Sequence, residues 1–258
     1  MIRPDVIDLR NFYQSPLGQV VRRIIGRKIR QMWPDINNFR LLGMGYATPY
    51  LNPFRSEAER VISFMPHDQG VIQWPREGAG LVGLVEESCL PLPDASIDRL
   101  IWVHGVENTS DLDQVLPEIW RVLTSTGKLL VVVPSRRGLW ARRESYPFGQ
   151  GHPYSDRQLN RLLRDNMFTP GERQGALYMP PSKMRLNLKA AQAWENIGEK
   201  WWSRFSGVRL MEAEKQVYAL TVEPERRKKR RRPVIVPASR PAATGRQARN
   251  DAIAYPKN

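Results

Sequence analysis

The chain has 258 residues, 41% of them hydrophobic and 26% charged, a composition suited to one folded α/β domain with appendages. Its formal net charge of +14 is uneven, because residues 223–258 hold eleven Lys/Arg against three Asp/Glu. One cysteine, Cys89, excludes an internal disulfide framework and a multi-cysteine zinc site, and the three scattered histidines have no metal-binding spacing.

The first thirteen residues carry charges and lack the apolar centre of a secretory signal. No apolar run reaches the length of a membrane span. These features together lead us to expect a reducing, cytoplasmic setting.

In chain order, residues 16–33 read as an amphipathic helix. Leu17, Val20, Val21, Ile24, Ile25, Ile29 and Met32 recur at helical spacing, and basic residues lie between them. Pro34 ends the pattern. The basic face is either solvated or a surface for anions.

Short apolar runs then recur at 39–43, 61–65, 81–85, 99–103 and 128–133, with a helix expected over 111–123 between the last two. Continuous apolar strands separated by helices and loops predict a parallel sheet covered on both faces. The stretch 67–80 has no helical period and reads as a loop. Ser155 is placed to cap a helix running through Asn166. Residues 168–179 and 208–222 read as a final antiparallel pair of strands.

A helical segment over 186–205 carries Trp194, Trp201 and Trp202, which are expected to pack in a core or a lid. Cys89 is expected to be a small buried residue. From residue 223 the apolar period ceases, and residues 226–232 are seven consecutive Lys/Arg. Such a segment cannot offset its ordering entropy by burial, so 223–258 is expected to be a disordered basic tail. The folded part is expected to be a single domain, 1–222, with its core at 39–134 and a C-terminal extension at 135–222.

The chemistry centres on the segment Leu41-Leu42-Gly43-Met44-Gly45-Tyr46-Ala47, where a strand ends in glycines that permit a tight turn and close approach of a ligand. An acidic stretch follows, Glu86-Glu87-Ser88-Cys89-Leu90-Pro91-Leu92-Pro93-Asp94, with Asp98 leading into the strand that ends at His104. Arg121-Val122-Leu123 and Gly127 come next. With these motifs in this order, residues 39–134 resemble the class I S-adenosylmethionine-dependent methyltransferases of the type-11 group.

The resemblance implies a Rossmann-like, mostly parallel sheet with helices on both faces and antiparallel C-terminal strands. It implies S-adenosylmethionine as cofactor and an unidentified methyl acceptor. By position, Gly43, Gly45 and Ala47 would line the methionine and ribose part of the cofactor. Glu86 would accept from the adenine amino group, with Glu87 beside it. His104 would sit near the reactive methyl, and Tyr13 would close over the site. His104 and His152 are the candidate bases, with Tyr154 as an orienting hydroxyl. No metal is implied.

The chain also departs from the family's pattern. Leu41 stands where an acidic residue usually precedes the glycines, Phe64 or Met65 stands at the ribose-binding acidic position, and Ala47 replaces the third glycine. Losing a charge-assisted hydrogen bond to the ribose costs about 1.5–3 kcal/mol unless Asp68 substitutes for it. These departures keep a second expectation open, a methyltransferase-fold binding or regulatory protein without cofactor. A third is association with nucleic acid through 226–232. Glu107 reads either as a ligand contact or as a cap for the helix near Asp111. Arg136, Arg137, Arg142 and Arg143 follow the fifth strand, where they would meet an anionic acceptor or solvent.

Overall fold

A computed structural model describes residues 3–182, 188 and 190–217. The expected basic tail, 223–258, lies outside them, as does the end of the last expected strand, 218–222. Seven strands form one sheet: β1 (Arg40–Gly45), β2 (Arg60–Pro66), β3 (Val82–Val85), β4 (Ile97–Val103), β5 (Leu123–Pro134), β6 (Phe168–Ala176) and β7 (Val208–Lys215). Their order across the sheet is β3-β2-β1-β4-β5-β7-β6. The first five pair in parallel, and β7 runs antiparallel to both β5 and β6. This is the expected Rossmann-like sheet with its antiparallel C-terminal pair.

The apolar runs explain the strands. Leu100, Ile101, Trp102 and Val103 of β4, and Leu129 to Val133 of β5, are fully buried because layers cover both faces of the sheet. One layer contains α1 (Val6–Gln14) and α2 (Pro16–Met32), whose buried side chains share a cluster with Leu41, Met65, Ile101 and Leu130. The opposite layer contains α4 (Leu112–Val122) and α5 (Asp156–Asp165), packed on Leu42, Trp102, Leu129 and Val131. A short helix, α3 (Thr48–Leu51), follows the β1 turn. The last helix among the described residues is α6 (Ala191–Trp201).

Local chemistry sets the boundaries. Ser155 caps α5 as expected, and with Gln158 it forms a capping box, each side chain satisfying the other's backbone N–H. Ser15 caps α2 through Gly18, with Pro16 at the first helical position. The expected loop at 67–80 holds no helix.

Much of the basic face of α2 is paired rather than free. Lys28 contacts Glu199 at 2.8 Å, Arg30 pairs with Glu57, and Arg27 bonds Gln192. Glu212 on β7 ties the end of the α2 layer to β5 by accepting from Trp33 Nε1 at 2.6 Å and from Lys128 at 2.9 Å.

Three expectations need correction. Helix α1 was not among the expected elements, yet Val6, Leu9 and Tyr13 are buried on it. Cys89 is exposed, because it sits in the turn that follows β3. Trp201 and Trp202 are 70% and 51% exposed and are not core residues. They lie at the end of α6, and only Trp194, further back, is packed against the main cluster.

Candidate functional site

The glycine turn closes β1 at the carboxyl edge of the sheet. Gly45 has φ +70°, a conformation that side chains disfavour, and a Cβ there would lie 2.2 Å from the Val103 carbonyl oxygen. That oxygen accepts from the Tyr46 N–H at 2.8 Å, which locks the turn against the end of β4. Gly43 faces inward too, since a Cβ there would meet Leu51 at 2.6 Å. Both glycines are therefore required by packing inside the protein.

Immediately after β4, His104 is fully buried with φ +55°, a left-handed conformation that is strained for a histidine. Its Nε2 lies 2.8 Å from the Tyr13 hydroxyl, and its Nδ1 lies 3.3 Å from a carboxylate oxygen of Glu107. Tyr13 also contacts the Tyr50 hydroxyl at 2.9 Å and stacks on Tyr46. Phe148 covers the other side of the imidazole, with ring centres 4.5 Å apart. Burial holds the Tyr13 phenol well above its usual pKa, and Tyr50 and Glu107 push in the same direction. Burial also raises Tyr46, to about 12.

The region beyond the glycine turn, expected as an open crevice, is filled by the protein itself. Gln69 is buried there and donates to the Gly45 carbonyl at 3.3 Å, while its own backbone carbonyl accepts from the Val6 N–H. Arg3 is buried between Asp68, at 3.1 Å, and Glu87, at 2.5 Å. Glu87 also accepts from Trp102 Nε1 and from the Thr109 hydroxyl. A small cavity of 170 Å³ remains beside Arg3, lined in part by His67, Glu86 and Ser110. Helix α1 stands between two larger cavities. One of 610 Å³ lies on its Asn11–Phe12 side, and one of 560 Å³ lies on the side of Arg10 and Tyr13.

The expected residues are thus partly assembled. Tyr13, Gly43, Gly45, Ala47 and His104 meet at the ends of β1 and β4. Met65 is buried near the end of β2 and offers no acceptor for a ribose. Asp68, the expected substitute, is engaged by Arg3. Glu86 projects from the end of β3, 57% exposed, with His67 at 3.0 Å. Glu87 faces inward to Arg3 instead of toward a free ligand space.

His152 is exposed and its ring packs on Tyr154, away from the His104 imidazole; only its backbone reaches the cluster, donating to the Glu107 carbonyl at 2.8 Å. Tyr154 is raised in pKa by burial and by Glu107. Glu107 does not cap α4, where Asp111 holds the N-cap position. Its carboxylate is buried against His104, and neither oxygen receives a hydrogen bond. The roles of Arg3, Gln69 and Glu107 escaped the sequence reading.

The geometry tests the fit of S-adenosylmethionine. At the positions the resemblance assigns to it, Glu86 holds an exposed carboxylate at the β3 end, Met65 offers the ribose no acceptor, and Arg3 and Gln69 are buried beyond the 43–47 turn.

Comparison with known proteins gives the same fold. Residues 42–131 match a type-11 family model described as a methyltransferase domain. A demethylmenaquinone methyltransferase of Deinococcus radiodurans is 46% identical over 43 residues, which span 17% of this chain and 18% of that protein. A Thermotoga maritima S-adenosylmethionine-dependent methyltransferase superposes with a TM-score of 0.57 at 18% identity, covering 82% of this chain and 96% of that one. An Archaeoglobus fulgidus methyltransferase gives 0.54 at 14% identity, covering 75% and 94%. The [4+2]-cyclase SpnF gives 0.54 at 21% identity, covering 78% and 83%. Residues 42–131 therefore match the type-11 methyltransferase-domain model, and the described chain shares its fold with these S-adenosylmethionine-dependent methyltransferase structures.

Proposed function

We propose that the protein is an S-adenosylmethionine-dependent methyltransferase whose cofactor crevice is covered by its own N-terminal segment, residues 3–13. The observation that carries this reading is the convergence of the 43–47 turn, Glu86 and His104 at the carboxyl ends of β1, β3 and β4 within the family-matched domain. Ligands of open parallel sheets bind at that edge.

Helix α1 is flanked by two cavities and pairs with no strand, so its displacement would leave the sheet's hydrogen bonds in place. Once Arg3 and Tyr13 move off, Glu86 would take the adenine amino group and the 43–47 turn the methionine end. The bound cofactor supplies an activated methyl group.

The chain's own contribution is a proton path. His104 is held between the Tyr13 hydroxyl and the Glu107 carboxylate. Glu107 at Nδ1 orients the ring, leaving Nε2 to take a proton from an acceptor that replaces Tyr13. Phe148 keeps water from the ring. His152 and Tyr154 lie on the rim, next to the Glu107 backbone, and would meet the acceptor first.

Calorimetric titration with S-adenosylhomocysteine tests this, using the wild type, Glu86→Ala and Tyr13→Ala. Binding by the wild type, weakened in Glu86→Ala and strengthened in Tyr13→Ala, is expected.

A second reading has its own observation. Arg3 satisfies both Glu87 and Asp68, and Tyr13 satisfies His104, so the covered state is internally bonded. On this reading the domain has lost its cofactor and serves as a binding protein. Absence of heat up to millimolar ligand in both the wild type and Tyr13→Ala selects it.

A further inference from the structure

A groove of 930 Å³ opens at the far side of the sheet from β3, where β5, β6, β7 and α5 meet. Six arginines line it: Arg136 and Arg137 after β5, Arg157 in the first turn of α5, Arg173 on β6, Arg209 on β7, and Arg204 just beyond α6. No lysine lines it. A smaller recess of 350 Å³ shares Arg173, Arg204 and Arg209 and extends the groove toward Tyr178.

The charge is only partly neutralised. Asp156 lies 3.2 Å from Arg209 and 3.9 Å from Arg173. Glu199, in the recess, is taken by Lys28. Among the described residues, the side chains of Arg136, Arg137, Arg157 and Arg204 have no hydrogen-bond or ion-pair partner. Four unpaired guanidinium groups converging on one concavity repel one another unless an anion joins them. Guanidinium presents forked donors that match phosphate oxygens.

The segment carrying Arg204 supplies a second, independent feature. Trp201, Trp202 and Phe205 are exposed by 70%, 51% and 58% on residues 201–205. Large rings left in water beside a cationic groove are stacking surfaces for planar bases. We infer that this groove binds single-stranded nucleic acid, with the arginines on successive phosphates and the 201–205 aromatics against bases. The concave shape, and cationic side chains that are all arginines, favour a threaded phosphodiester chain over a flat membrane surface. His104 does not line the groove, whose inner end is bounded by Tyr154, and binding there does not require the cofactor.

The experiment is fluorescence anisotropy of a labelled oligouridylate titrated with the full chain across a range of salt. Three variants accompany the wild type: Arg136→Ala with Arg137→Ala, Trp201→Ala with Trp202→Ala, and the full chain with residues 226–232 all changed to serine. All the substituted groove residues are exposed, and a melting curve verifies that each variant is folded.

The arginine pair is expected to weaken binding about tenfold or more, and to flatten the slope of log affinity against log salt by about 1.4, two phosphate contacts for single strands. The tryptophan pair is expected to cost roughly five- to a hundredfold per base stacked, with the salt slope unchanged. The serine variant is expected to retain both effects when the groove substitutions are added to it. Equal affinity of wild type and groove variants, with binding lost only in the serine variant, would overturn the inference. So would preferential binding to phosphatidylglycerol vesicles with no measurable affinity for the oligonucleotide.

Discussion

Replacing Gly45 with alanine separates two reasons for the glycine turn. If the glycine served only to let a ligand approach, Gly45→Ala would weaken ligand binding and leave stability alone. In the structure the missing Cβ points at the Val103 carbonyl 2.2 Å away, and the backbone is at φ +70°. A non-glycine residue in the left-handed region costs about 1–2 kcal/mol before any clash. Relieving the clash means moving the end of β4 or breaking the Tyr46 N–H to Val103 bond, another 0.5–1.5 kcal/mol or so. The sum, about 1.5–3.5 kcal/mol, corresponds to a fall in Tm of roughly 3–14 °C for a domain of this size. Differential scanning calorimetry measures it. A Tm within 2 °C or so of wild type would refute the claim that internal packing dictates this glycine.

Further outcomes follow from the same contacts. Glu195 on α6 accepts from the backbone N–H groups of Leu177 and Tyr178, at 3.1 and 2.7 Å, so Glu195→Ala orphans two donors and should cost about 2–4 kcal/mol in urea unfolding. The Arg121 guanidinium holds the Glu118 carboxyl below its usual range. A carboxyl lowered in the folded state adds stability above its unfolded pKa and loses it as the pH falls through the folded value. Unfolding free energy should therefore drop on acidification below the ordinary carboxylate range, and Glu118→Gln should flatten that drop in denaturant titrations at stepped pH. Trp201→Ala with Trp202→Ala should change stability by no more than about 0.5 kcal/mol each, because both rings are exposed; a larger loss in thermal melts would mean they are core residues after all.

The sheet was legible in the sequence because its strands are short, continuous apolar runs, and such runs have few other uses at that spacing. The α5 start was legible from Ser155 alone, since an N-cap is a local device. Helix α1 was not. Its buried face rests on three residues, Val6, Leu9 and Tyr13, too few to stand out as a period. The filling of the crevice was hidden for a different reason. Arg3 is buried only because Glu87, 84 residues away, and Asp68 receive its charge, and no local pattern encodes that pairing. The positions of His104 and Glu86 followed from the order of motifs. The outward turn of Trp201 and Trp202 did not, because aromatic content predicts burial on average and says nothing of which face a helix end presents. The arginine groove gathers residues from 136 to 209 and exists only once β5, β6 and β7 have paired.

Hydrogen exchange measured with and without S-adenosylhomocysteine tests the central claim most directly, that residues 3–13 cover a working cofactor crevice. The account predicts that ligand speeds exchange of the α1 amides while slowing exchange at residues 43–47 and 86–87. Unchanged exchange in both regions at saturating ligand would contradict it.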